Sequence, residues 1–176
     1  MNLAQSEHEA IKKQFTDKNF RKLKDQQEMA KILFKGLNNK DSNAKALCDF
    51  VIELMDDYYF ALLTFPEILL FEKNKKAFIG MHGVKTMRGL ITKFFKQGTF
   101  YVEIESIHSY SKGAGAQIIE RIKKFSDEND CLISLWAENM DLVNYYQSLG
   151  FQCAGAGGEN GEFLMIYKTN RITGWK

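Results

Sequence analysis

The spacing of apolar and polar positions divides the chain into two halves of different character. Across residues 7–37, charges are interleaved with Ile11, Phe15, Met29, Ile32, Leu33 and Phe34. The group at 29, 32 and 33 has helical spacing, and Gly36 with Asn38-Asn39 supplies a stop. Asp41 or Ser42 can cap a second helix, whose inward stripe is Leu47, Phe50, Val51 and Leu54 and which fades near Asp56-Asp57. The middle is apolar, aromatic or branched at 59–65 and 68–72, broken at Pro66. After the turn at Asn74-Lys75-Lys76, Ala77 to Val84 resumes as a strand. Residues 86–96 fit strand and helix equally. Residues 99–107 alternate at 100, 102, 104 against 101, 103, 105 and predict a strand.

The period then changes to that of a helix over 113–126. Ile118, Ile119, Ile122 and Phe125 share one face, and Lys123 and Lys124 stand near the C-terminal end, where cations suit the dipole. Residues 131–136 predict a short buried strand. Asp141 to Leu149 predict a helix closed by Gly150, and residues 162–168 a closing strand. The second half therefore reads β-α-β-α-β, and its first helix joins a parallel strand pair. The fold class expected is α/β (α+β): a mixed sheet flanked by helices, with a helical N-terminal part over 1–57, in one domain spanning 1–176.

Composition narrows the function classes. A chain of 176 residues with 45% hydrophobic and 26% charged positions supports one packed core. Its 24 basic and 22 acidic residues are nearly balanced, so nucleic acid is not an expected partner. The basic bias of residues 1–40 reads as a solvated helical face. No apolar run approaches the roughly 20 residues of a membrane span, and the first ten residues lack the apolar stretch of a secretory leader. Cys48, Cys131 and Cys153 are far apart, and His8, His82 and His108 lack metal-ligand spacing. Neither a disulfide framework nor a metal site is expected. A reduced, cytoplasmic setting fits these features.

The chemistry concentrates in Glu103 to Arg121, where a strand passes through Ser-Lys-Gly-Ala-Gly-Ala into a helix. The first N–H groups of a helix have no intrahelical partner and lie at the positive end of its dipole, which suits an anion. Gly113 and Gly115 let a phosphate approach the backbone, and Ala114 and Ala116 are nearly as small. A diphosphate would sit across the N–H groups of residues 112–116. A plain tight turn is the competing reading. A P-loop is absent, and the dinucleotide fingerprint would need Gly where Ile118 stands.

The tract S-K-G-A-G-A-Q-I-I resembles the acyl-CoA loop of the GNAT acetyltransferase superfamily. A second segment, W-A-E-N-M-D-L-V-N-Y-Y-Q-S-L-G-F over 136–151, is similar to that family's later motif. The likeness covers about residues 99–168. It implies a mostly antiparallel sheet with a central, splayed parallel pair. It implies an N-acyltransferase that uses acetyl-CoA as cosubstrate, without a metal, and acts on a small-molecule or peptide amine. By the same resemblance Lys112, Gly113, Ala114, Gly115 and Ala116 hold the diphosphate. The backbone at Ile107 and the side chain of Asn139 hold the pantetheine arm, and Tyr146 protonates the departing thiolate.

Each of these residues has a plainer reading. Tyr146 also fits a half-buried helix aromatic. Glu103 and Glu105 share a strand face. They are either solvated or supply the base that takes a proton from the acceptor ammonium, with Glu103 preferred. His108 is a second candidate base, in a loop, or a surface residue. Cys131 and Cys153 read as small core residues. The tract 155–161 lacks a following helix and reads as a hairpin loop beside the substrate cleft. Tyr110 stands where the family has Arg or Gln and the loop is short, which keeps open a non-catalytic acyl-CoA-binding or protein-interaction module. An unrelated nucleotide-binding domain is a third reading. The acceptor is open, and so is a homodimer.

Overall fold

The computed structural model describes residues 9–13, 16–37, 41–62, 67–86, 90–158 and 160–168. Helix α1 spans Asp17–Gly36, with Thr16 as N-cap accepting from the Asn19 N–H. The expected helix over 7–37 is thus in two pieces, residues 9–13 and α1. A second correction concerns the face of α1. Met29 and Ile32 are 60% and 65% exposed, whereas Phe20, Gln27, Ala30 and Phe34 are buried. The physical reason is the neighbour: α1 packs on α2 (Ser42–Leu54) and along the edge of a sheet, and the 20-27-30-34 stripe is the one turned to them. Asp41 caps α2 as expected, through the N–H groups of Asn43 and Ala44.

The sheet contains seven strands: β1 (Tyr58–Phe60), β2 (Ile68–Glu72), β3 (Ala77–Lys85), β4 (Phe100–Ser109), β5 (Leu132–Ala137), β6 (Gln152–Ala156) and β7 (Phe163–Tyr167). Their spatial order is β1-β2-β3-β4-β5-β7-β6. Every neighbouring pair is antiparallel except β4 and β5, which are parallel. The crossover between those two is α3 (Ala114–Asn129), and α4 (Met140–Ser148) follows β5. This is the α/β arrangement expected, with the parallel pair in the centre.

The two faces of the sheet differ. On one, Ile79, Met81, Val102, Ile104, Ile133, Leu135 and Met165 meet Val51 and Leu54 of α2, Ile118, Ile119, Ile122 and Phe125 of α3, and Val143 and Tyr146 of α4. Phe50 stacks on Phe125 at 4.8 Å between ring centroids, tying α2 to α3. On the other face, Tyr101, Leu132, Leu164 and Ile166 pack against Ile91 and the half-buried Leu90, Phe94 and Phe95. These come from a short 3₁₀ turn, Leu90–Lys93, and the residues after it, which resolves the ambiguous 86–96 tract apart from residues 87–89, outside those described.

β6 was not expected, because Gly155 and Ala156 read as loop. They lie in the strand beyond a register shift between Cys153 and Gly155. Gly155 takes φ +115°, which only glycine adopts without strain. Cys153, expected in the core, is exposed on this edge strand, while Cys131 is buried as expected.

Candidate active site at the parted end of the parallel pair

β4 and β5 pair from Tyr101↔Leu132 to Ile104↔Leu135 and no further. β4 continues to Ser109 and β5 to Ala137, so the strands part beyond that register. The cause is local. Opposite β3 the register jumps from Met81↔Ile104 to Gly80↔Ser106, leaving Glu105 as the extra residue of a bulge. A bulge bends its strand and increases twist, and here it turns β4 away from β5. It also resets the alternation: Ile104 and Ile107 both face the helices, while Glu103 and Glu105 face the other way. Residues 106–109 therefore keep β3 on one side, and among the described residues 105–109 have no strand partner on the other. Ile107, expected to offer its backbone to the pantetheine arm, lies in this stretch.

Two helices begin at the parted end, because both parallel strands run toward it. In open α/β sheets the crevice outside the carboxyl ends of the strands is the usual ligand position. α1, α2 and α4 each have a side-chain cap, from Thr16, Asp41 and Asn139. α3 has none; its N-cap is Gly113 in the left-handed region, φ +84°. Not all the amides expected to be bared are so. The Ala114 N–H donates to the Ser111 carbonyl at 3.2 Å and the Gly115 N–H to Ser109 Oγ at 3.2 Å. The tight return from β4 into α3 brings these acceptors to them. The amides of Lys112, Gly113 and Ala116 make no hydrogen bond among the described residues. A Cβ on Gly115 would come within 3.3 Å of Ser109 Cβ, whereas one on Gly113 would meet nothing within 4 Å. Gly115 thus serves close packing, and Gly113 the backbone turn beneath an open surface. The Lys112 side chain is exposed beside it.

Asn139 caps α4: its Oδ1 accepts from the Leu142 N–H at 3.0 Å, which occupies one end of the amide. Tyr146 lies on the buried side of α4, edge-on to Tyr145 at 5.2 Å and to Phe151 at 5.8 Å. Burial pushes its phenol up to about 12, with the Tyr145 and Glu138 charges adding to the effect. The phenol therefore stays protonated near neutral pH.

On the opposite face the structure brings together Glu103, Glu105 and a residue the sequence reading passed over. His82 of β3 is the cross-strand partner of Glu103. Its Nε2 lies 3.5 Å from Glu103 Oε2 and its Nδ1 3.1 Å from Glu105 Oε1. The imidazole is held above its ordinary value of 6.5, chiefly by hydrogen bonding to Glu103, against partial desolvation, with the charges of Glu105, Glu103 and Glu67 adding. Tyr101, on the same face, is pushed up to about 12 by burial and then by Glu103. Across the parallel pair from Glu103 stands Ser134, whose buried Oγ makes no hydrogen bond among the described residues. The signal for His82 was its place at the strand position matching Phe78 and Gly80. Only the register shows that two carboxylates meet it. His108, expected in a loop, is the strand partner of Phe78, with ring centroids 5.8 Å apart.

The turn that joins β6 to β7 lies at the same end of the sheet as the gap, since Phe163 pairs with both Ala137 of β5 and Ala156 of β6. Gly157 to Glu162 form the expected hairpin turn, closed by the Gly157 N–H on the Glu162 carbonyl at 3.0 Å; residue 159 is outside those described. Gly157 lies tight against Leu90. A cavity of about 200 Å³ lies between Asn19, Lys22 and Leu23 of α1 and Leu62 and Phe71, and shares no residue with the gap. Among the described residues no cluster of His, Cys, Asp and Glu could hold a metal ion, and no helix is long and apolar enough to cross a membrane.

No family model and no curated protein matches the chain. Solved structures with a distant likeness do exist. A histone acetyltransferase HPA2 and related acetyltransferase from Corynebacterium glutamicum is 14% identical, with a TM-score of 0.46 over 90% of this chain and 96% of its own. Arabidopsis thaliana NAA60 in complex with acetyl-CoA is 15% identical, with a TM-score of 0.45 over 58% and 75%. The Bacillus subtilis N-acetyltransferase YlbP in complex with coenzyme A is 13% identical, with a TM-score of 0.41 over 75% and 85%. Likenesses this remote carry no activity across to this chain, so function rests on the site itself.

Proposed function

We propose that the chain is a GNAT-type N-acyltransferase that moves an acyl group, acetyl in the simplest case, from acyl-CoA to a primary amine by direct attack. The observation that carries this reading is the parting of β4 from β5 at Glu105, with the uncapped N-terminus of α3 at its mouth. An extended pantetheine arm can add to the unpartnered backbone of residues 105–109 as a strand would. Its diphosphate then reaches the amides of Lys112, Gly113 and Ala116, with the Lys112 ammonium alongside. Asn139 flanks the arm through the amide nitrogen that its capping role leaves available.

The gap connects the two faces, and the chemistry divides between them. Tyr146, on the helix side, donates its proton to the thiolate as the C–S bond breaks. The amine approaches from the side of Glu103 and Glu105. Of the two carboxylates, Glu105 is the better placed to take the ammonium proton: it stands at the bulge where the strands part and is 44% exposed, against 22% for Glu103. Removal of that proton frees the nitrogen lone pair for attack on the thioester carbonyl.

Calorimetric titration with acetyl-CoA tests the reading first, with ATP as competitor. Binding that ATP does not relieve is the expected result. No heat at millimolar acetyl-CoA contradicts it, and effective competition by ATP would favour a nucleotide-binding domain. Tightly bound acetyl-CoA with no transfer to any of a panel of amines would instead mark a binding module.

A further inference from the structure

We propose that His82 is a positioning residue that receives, through Glu105, the proton removed from the acceptor amine, so that Glu105, His82 and Glu103 form a relay leading away from the gap. The inference rests on the acyltransfer reading and adds to it a residue that neither loop motif contains.

Three observations converge on His82. First, the imidazole is flanked at both nitrogens, by Glu103 at Nε2 and Glu105 at Nδ1. Second, the two contacts differ. Nδ1 is buried and, at 3.1 Å from Glu105, makes no aligned hydrogen bond. With Nε2–H turned to Glu103, the neutral imidazole presents its Nδ1 lone pair toward the more exposed carboxylate. Third, Glu105 is the extra residue of the bulge, so its carboxylate stands beside His82 at the point where β4 leaves β5.

The proton balance is simple. The acceptor ammonium loses a proton to a Glu105 oxygen. That carboxylic acid passes it to His82 Nδ1 and is a carboxylate again for the next turnover. The resulting imidazolium is stabilised by Glu103 and returns the proton to solvent. A carboxylate alone is a weak sink for an ammonium proton, and an imidazole with two carboxylates beside it is a better one. The charged groups facing His82 are Glu103 and Glu105 from β4 and Glu67 ahead of β2, and all three raise its proton affinity; Tyr101, one pair further along the same face, acts on Glu103.

The test is the pH dependence of kcat/KM for wild type, His82→Asn and Glu103→Gln, with acetyl-CoA affinity measured alongside and the His82 ring followed by NMR in the free protein. Wild type is expected to lose kcat/KM on the acid side with a midpoint above 6.5 that matches the His82 titration seen by NMR. In Glu103→Gln both midpoints should move down together. In His82→Asn that limb should vanish and kcat should fall about 10–100-fold, with acetyl-CoA affinity unchanged. Transfer that keeps the same acid limb in His82→Asn overturns the relay and leaves the acyltransfer reading intact. Should His82→Asn misfold, Glu103→Gln still decides, since a kinetic midpoint that stays put while the NMR midpoint moves overturns the relay. Absence of acetyl-CoA binding by wild type overturns both.

Discussion

Tyr146 is a packed core residue to which the proposed mechanism assigns the proton donor. Its ring is buried against Phe151, and the burial that makes it a core residue also keeps the phenol protonated. Tyr146→Phe preserves the packing and removes the proton. It should lower kcat by roughly 10²–10⁴-fold while acetyl-CoA still binds; steady-state kinetics with calorimetry checks this, and an unchanged kcat would place the acid elsewhere. Gly113 is a second point where one residue decides. Its φ of +84° carries no side-chain clash, so Gly113→Ala should cost about 1–2 kcal/mol from backbone strain alone. Urea denaturation measures it, and a neutral result would mean that the turn relaxes. Both residues could be proposed from sequence because each falls in a dense local motif. His82 could not, since its contacts depend on which residues of another strand lie opposite.

At the scale of elements, the joints between strands and helices hold the site together. The outer edge of β1 is closed by a side chain: Gln27 of α1 donates to the Phe60 carbonyl at 3.1 Å and accepts from the Phe60 N–H at 3.1 Å. An amide thus replaces the missing strand partner and fixes α1 along the sheet. Gln27→Leu leaves both buried groups unmatched and should cost about 2–3 kcal/mol, read as a lower urea midpoint at unchanged slope. The His82 clamp joins β3 to β4 and makes stability depend on pH. Its folded proton affinity is raised, so its contribution is complete below about 6.5 and is lost as pH rises through the higher folded value. Thermal melting temperatures between pH 6 and 9 should fall more steeply in wild type than in His82→Asn; parallel curves would mean that the clamp carries no net stability. The sequence made α2, α3, β5 and α4 readable through their apolar periods. It hid β6, whose small and polar residues carry no strand pattern, and the buried face of α1, because Met29 and Ile32 are as apolar as the residues that do face inward.

For the whole molecule, the order of strands matters more than any single contact. Five antiparallel pairings surround one parallel pair, and the parallel strands end at the same side of the sheet. The helix-bearing face carries the Gly113 turn and the Tyr146 phenol, and the opposite face carries Glu103, Glu105 and the His82 imidazole. In the proposed mechanism the opening between β4 and β5 is where the two sets meet. That arrangement follows from the β-α-β-α-β alternation, which the sequence showed. The bulge that opens the pair did not show, because Glu-Ser within FYVEIESI reads as uninterrupted strand.

The most direct test is a backbone amide NMR map of the protein titrated with acetyl-CoA. The account predicts shifts concentrated in Glu105 to Ala116 and from Asn139 to Tyr146, with α1 and the β1 edge unmoved. Saturable shifts confined to α1 and its neighbouring cavity, with the parted strands silent, would contradict it.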